Sequence, residues 1–220
     1  MTKEMYLQYV SQGETPKEHL YNIEQVCKAG GKWIQLRIKD QDMATYLDTA
    51  IKCRNICDRY NAIMIVNDNI GVAKAALADG VHLGLQDMDT REARKILGDN
   101  CIIGATANTL QDCKKHSEDT VDYIGLGPYR HTTTKKKLSP VLGIKGYDEI
   151  LSKFRIQNAT MPVVAIGGIV EQDIMPLMQT GISGIAVSGL LTNQENIKEK
   201  ITNIKEQIEK RFSSDNKKNG

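Results

Sequence analysis

Eight short apolar runs, each followed by a segment with helical spacing, constrain the fold of this sequence more than any other feature. The runs cover residues 5–10, 33–36, 63–66, 81–83, 102–105, 123–126, 163–166 and 184–187. They are often β-branched and show little polar alternation, the pattern of strands buried on both faces. Between them the period changes. Met43, Leu47, Ala50, Ile51, Arg54 and Ile56 mark one helical stretch running to about Tyr60, and Ile197, Ile201, Ile204 and Ile208 stripe the last one. Thr15-Pro16 supplies an N-cap followed by proline at the first helical position, and Thr90-Arg91-Glu92 opens the fourth helix. Gly30-Gly31, Gly80, Gly98 and Gly181 mark helix ends or strand entries.

Eight β-α units in succession predict an α/β fold, a single (β/α)8 TIM barrel over residues 1–212, with a frayed polar tail at 213–220. The 220 residues are close to the roughly 250 such a barrel needs. An open doubly wound sheet is the rival. Against it, no GxGxxG follows the first run, and eight units fill the chain without remainder.

A net charge of +2 provides no whole-chain field for nucleic acid, although Lys135-Lys136-Lys137 and Lys217-Lys218 are local basic clusters. No apolar run approaches the roughly 20 residues of a membrane span. The five cysteines (Cys27, Cys53, Cys57, Cys101, Cys113) form no CxxC or Cys/His zinc spacing. Cys53 and Cys57, one helical turn apart, read as small apolar residues on a buried helix face, with a metal pair as the alternative. The odd count, without a signal peptide, predicts a reducing, cytoplasmic setting. The expected partners are small molecules, with neither nucleic acid nor membrane, and a homo-oligomer is compatible with the sequence.

In a barrel of this kind chemistry sits on the loops after the strands. After the second run, alternation along Gln35-Leu36-Arg37-Ile38-Lys39 would send Gln35, Arg37 and Lys39 into the barrel mouth as a pyrophosphate or carboxylate clamp. Asp68 follows the third run and Asp87 the fourth. Neighbouring strands would bring both to one Mg2+ ion, completed by water and substrate oxygens. The alternative is that both are helix N-caps. His82 reads as a packing or hydrogen-bonding residue. Thr106 and Asn108 follow the fifth run. After the sixth comes Gly127-Pro128-Tyr129-Arg130-His131, then Thr132, Thr133, Thr134 and Lys135, in a connection long enough to be a lid over phosphate or a solvated loop. Gly167-Gly168 after the seventh run and Ser188 after Val187 suit a phosphate held by backbone N–H groups at helix N-termini.

Together these residues resemble the thiamin phosphate synthase family over about Tyr6 to Leu191. The resemblance rests on Gln35-Leu36-Arg37-Ile38-Lys39, Asn67-Asp68, Gly80 through Asp87, Gly125 through Lys135, and Gly167-Gly168-Ile169. It implies that a hydroxymethylpyrimidine pyrophosphate and a thiazole phosphate are condensed with Mg2+, releasing pyrophosphate through a pyrimidine cation. It further implies that Gln35, Arg37, Lys39, Asn67, Thr106 and Lys135 hold the pyrimidine substrate, with Arg37, Lys39 and Lys135 assisting catalysis. Thr132, Thr133, Thr134, Gly168, Val187 and Ser188 would hold the thiazole phosphate, and Asp68 and Asp87 the metal. Three positions depart from the family pattern: Leu85 where glutamine is usual, Thr106 for serine, and Arg130-His131 for an aromatic-proline pair.

Overall fold

The computed structural model describes residues 2–119, 121–131, 140–158 and 160–216. Eight parallel strands close into a barrel in sequence order. They are β1 Leu7–Val10, β2 Trp33–Leu36, β3 Ile63–Asn67, β4 Gly80–Leu83, β5 Ile102–Ala107, β6 Tyr123–Leu126, β7 Val163–Ile166 and β8 Gly184–Val187. The helices that follow them are α1 Pro16–Lys28, α2 Met43–Arg59, α3 Ile70–Ala75, α4 Thr90–Leu97, α5 Leu110–Glu118, α6 Gly143–Phe154, α7 Ile174–Gln179 and α8 Ile197–Asn216. β1 pairs with β8 at Tyr9↔Val187 and with β2 at Val10↔Gln35, so no strand edge is left and the open-sheet alternative is removed.

Two hydrophobic layers follow from the strand period. Val10, Trp33, Ile65, Tyr123, Val164 and Ala186 fill the barrel interior with Met5, which comes from a 3-10 turn at Lys3–Tyr6. Alternate strand residues such as Tyr9, Ile34, Met64 and Ile124 face outward into the layer shared with the helices. The first apolar run thus begins as a turn, and β5 is longer than its run, which places Thr106 inside the strand.

Cys27, Cys53 and Cys57 are buried where α1 and α2 pack, as small apolar residues do. Thr15 caps α1, accepting from Glu18 N–H, with Pro16 at the first helical position. α8 departs from expectation. It continues through Asn216, past the tail boundary at residue 213. Once nucleated, a helix gains a hydrogen bond for each residue it adds, so polar composition alone did not mark its end. Residues 217–220 lie outside the described residues.

Candidate active site

The ends of β2, β3 and β4 bring the charged residues of the mouth together. β2 stops at Leu36, so strand alternation governs only Gln35, while Arg37 and Lys39 sit on the loop beyond it. Other contacts hold that loop. Ser11, after β1, accepts the Arg37 backbone N–H at 2.9 Å, and Ser11 Oγ lies 2.8 Å from Nδ1 of buried His19 on α1. Burial pushes the His19 imidazole below its usual value. Burial also lowers the Arg37 guanidinium, while the Asp68 carboxylate pulls it back up. Lys39 is exposed at the rim.

Tyr46 on α2 ties the two strand ends. Its hydroxyl lies 2.8 Å from the Asn67 carbonyl oxygen and 3.3 Å from that of Leu36, immediately before Asp68 and Arg37. Asp68 itself adopts φ +63°, a left-handed conformation uncommon for a residue with a side chain. Its N–H donates to His82 O at 2.8 Å, which fixes it beside β4.

Neither Asp68 nor Asp87 is a helix cap. Asn69 caps α3 by accepting Val72 N–H, and Asp89 caps α4 by accepting Arg91 N–H. Asp87 instead accepts the Gly84 N–H at 2.6 Å, which turns its carboxylate back over the end of β4. The Asp87 carboxylate lies close enough to Asp68 to disfavour a second negative charge there. The surrounding protein mass, then Asp87, push the Asp68 carboxyl up to about 6, against the pull of Arg37. Two hard oxygen donors repelling each other beside an arginine fit a magnesium ion, whose other positions would be filled by water and phosphate oxygens.

Inside the barrel, Gln35 and Thr106 are both buried, on opposite arms of a polar network. Gln35 Nε2 donates to Gln8 Oε1 at 2.9 Å, and Gln8 Nε2 donates to the Tyr123 hydroxyl at 3.3 Å. His82 bridges onward, with Nδ1 3.0 Å from Tyr123 Oη and Nε2 3.1 Å from Thr106 Oγ1. His82 therefore has the hydrogen-bonding role its position suggested. Asn108 donates its amide to the Gly127 carbonyl, tying β5 to the segment after β6.

The opposite rim contains Gly167 and Gly168, both left-handed at φ +104° and +67°. Arg130 lies across them. Its backbone N–H donates to Gly167 O at 2.8 Å, and its guanidinium reaches Gly168 O at 3.0 Å. Val187 is buried at the end of β8, and Ser188 Oγ donates to Gln12 Oε1 at 3.1 Å. Leu191 and Thr192 N–H groups turn back onto Ser188 O, and α8 starts only at Ile197, so a turn follows Ser188 where a helix N-terminus was expected. Thr132, Thr133, Thr134 and Lys135 lie outside the described residues.

The family model described as thiamine monophosphate synthase matches residues 7–191, from the first strand to just beyond the last. The chain belongs to the thiamine monophosphate synthase family. It is similar to the thiamine-phosphate synthase of Flavobacterium johnsoniae, at 48% identity over 92% of this chain and 95% of that protein. The thiamine-phosphate synthase of Bacteroides fragilis is 44% identical over 84% of this chain and 91% of that protein. Among solved structures, a thiamine phosphate pyrophosphorylase from Pyrococcus furiosus superposes with a TM-score of 0.79 at 26% identity, covering 95% of this chain and 98% of that one. Membership makes the chain a transferase of thiamine biosynthesis.

In this thiamine monophosphate synthase family member, the charged mouth residues were legible in the sequence, while their supports were not. Ser11, His19 and Tyr46 act by holding backbone at the ends of strands, and no local pattern announces that. Gln8 was the most accessible miss: a glutamine inside an apolar run needs a buried partner, and Gln35 is that partner. Arg130, one of the departures, also has a visible task here. It forms a fork on Asp173, at 2.8 and 3.0 Å, in addition to its bonds to the two glycines.

Proposed function

We propose that this chain condenses 4-amino-2-methyl-5-(diphosphooxymethyl)pyrimidine with a thiazole phosphate, giving thiamin phosphate and pyrophosphate. The carboxylate pair of Asp68 and Asp87, released from helix capping and set beside Arg37, is the observation that carries this reading. Asp68 and Asp87 would hold Mg2+, which when bound supplies positive charge to the departing pyrophosphate. Arg37, Lys39 and Lys135 add fixed positive charge to the same leaving group, and Asn67 and Thr106 offer it neutral hydrogen bonds. Gln35 takes the pyrimidine.

The C–O bond to pyrophosphate breaks first, and its electron pair leaves with the pyrophosphate oxygen. The thiazole nitrogen then donates its lone pair to the pyrimidine methylene carbon. No side-chain nucleophile is required, so the protein accelerates the step by stabilising charge in a sheltered mouth. Gly168, Val187, Ser188 and the three threonines Thr132, Thr133 and Thr134 hold the thiazole phosphate on the far rim. Assaying purified protein with both substrates, with and without Mg2+, tests the reading. Thiamin phosphate should form only with all three present, and its absence under every condition would overturn the assignment.

A further inference from the structure

Five polar side chains cross the barrel interior in an unbroken series: Gln35, Gln8, Tyr123, His82 and Thr106. Each is nine-tenths or more buried, so water is a poor substitute for a missing partner. Room for them is built into the backbone. A Cβ on Gly104 would stand 2.2 Å from the Tyr123 ring, and one on Gly125 would stand 2.8 Å from the His82 ring. Tyr123 is also held edge-on by Trp33, with ring centroids 5.0 Å apart.

The direction of the protons follows from what each group can do. Gln8 turns its Oε1 to the Gln35 amide and its Nε2 to Tyr123, so it meets the tyrosine with an N–H, which can only donate. Tyr123 Oη therefore accepts from Gln8, and its own buried proton needs an acceptor. Among the described contacts that acceptor is His82 Nδ1, at 3.0 Å. A neutral imidazole that accepts at Nδ1 carries its proton on Nε2. Nε2–H then donates to Thr106 Oγ1, which leaves the threonine its own proton to donate elsewhere.

We infer that Gln8, Tyr123 and His82 are positioning residues whose one-way hydrogen-bond chain sets the polarity of both ends of the site. Gln35 offers its carbonyl oxygen as an acceptor at one end, and Thr106 offers a hydroxyl proton at the other. Resting on the substrate reading above, the acceptor suits the exocyclic amine of an aminopyrimidine, and the proton suits a diphosphate oxygen. Were the chain reversed, Thr106 would present a lone pair to an anion and Gln35 an N–H to an amine. Both ends would then repel the same ligand.

Ring nitrogen NMR of the ligand-free protein reads the direction without any substrate, with His82 assigned by comparison with His82→Asn. The expected spectrum shows a neutral His82 protonated at Nε2; a proton on Nδ1, or on both nitrogens at pH 7.5, overturns the proposal. Tyr123→Phe provides the second arm, since it removes the donor to Nδ1. It should release the tautomer into a mixture and raise KM for the pyrimidine diphosphate about tenfold, the size expected for one lost network hydrogen bond. KM for the thiazole phosphate should stay within about twofold. A fixed tautomer and unchanged KM values in a folded variant would overturn the proposal, and if the variant does not fold, the wild-type spectrum decides. An Nε2-protonated His82 in a protein that makes no thiamin phosphate supports the chain and sinks only the substrate reading.

Discussion

Arg130 and Asp173 face each other as a fork on a fork, with two nearly parallel hydrogen bonds of 2.8 and 3.0 Å joining the segment after β6 to the segment after β7. Asp173 is buried and also accepts the Val170 N–H at 2.9 Å, so it anchors the backbone that follows the two glycines. Asp173→Ala removes these charge-assisted bonds together. It should cost about 2 kcal/mol, which corresponds to about 4–8 °C in thermal midpoint for a chain of this size. KM for the thiazole phosphate should rise while KM for the pyrimidine diphosphate holds. A melting curve and two substrate titrations check both halves.

Asp87→Asn separates a metal ligand from a fold-supporting carboxylate. The amide oxygen can still accept the Gly84 N–H, so local geometry is retained, while the repulsion on Asp68 is relieved. The metal-free variant should therefore melt no lower than the wild type. Its Mg2+ affinity should fall about tenfold or more, each factor of ten being about 1.4 kcal/mol. A variant that melts lower with unchanged Mg2+ affinity would return Asp87 to a purely structural role.

The same pair gives a pH dependence whose sign is fixed. Asp68 is pushed up to about 6 in the folded chain, above its ordinary value of 3.8, so the metal-free fold retains its proton more readily than the unfolded chain does. That contribution to stability is complete below the ordinary value and is lost as the pH rises through about 6. On the proposed metal assignment, Mg2+ would compete with this proton. Calorimetric titrations should find affinity level above about pH 7 and falling below about pH 6 by up to tenfold per unit. In Asp87→Asn the fall should begin at lower pH, because the neighbouring negative charge that helps push Asp68 up is gone.

Gly168 tests the opposite rim. At φ +67° a side chain is strained, and a Cβ there would stand 3.0 Å from Arg130 Cβ and 3.2 Å from His131 O. Gly168→Ala should cost about 1–2 kcal/mol from the left-handed backbone alone, and it should raise KM for the thiazole phosphate. The nearest obstructions are Arg130 Cβ and the carbonyl oxygens of His131 and Arg130, so part of that effect should come from displacing this segment. Gly168→Ala in an Arg130→Ala background should then be less damaging than the sum of the two, which a double-mutant cycle measures.

The barrel was legible in the sequence because strands buried on both faces leave continuous apolar runs, and all eight strands start and end within two residues of the expected positions. The charged mouth was legible for a related reason: Arg37, Asp68 and Asp87 interrupt that pattern at strand ends, where a polar residue has no packing task. Strand alternation failed beyond Leu36, since β2 ends there and Ser11 takes over the positioning of Arg37. The alternative reading of Asp68 and Asp87 as caps misses by one residue and by two, because Asp, Asn and Thr are all competent caps and only backbone geometry chooses among neighbours. Gln8 and Tyr123 were read as parts of apolar runs, and their pairing spans 115 residues, a distance no local pattern can bridge.

The offset of the caps has a consequence for how such a chain can change. Asn69 and Asp89 secure the starts of α3 and α4, so Asp68 and Asp87 carry no duty toward those helices. The chemical alphabet at the two strand ends is thereby uncoupled from the architecture beneath it. Replacing the carboxylates could retire or redirect the chemistry proposed for them while both helices begin where they did before, so a barrel of this design can exchange one reaction for another without first having to survive as a damaged fold.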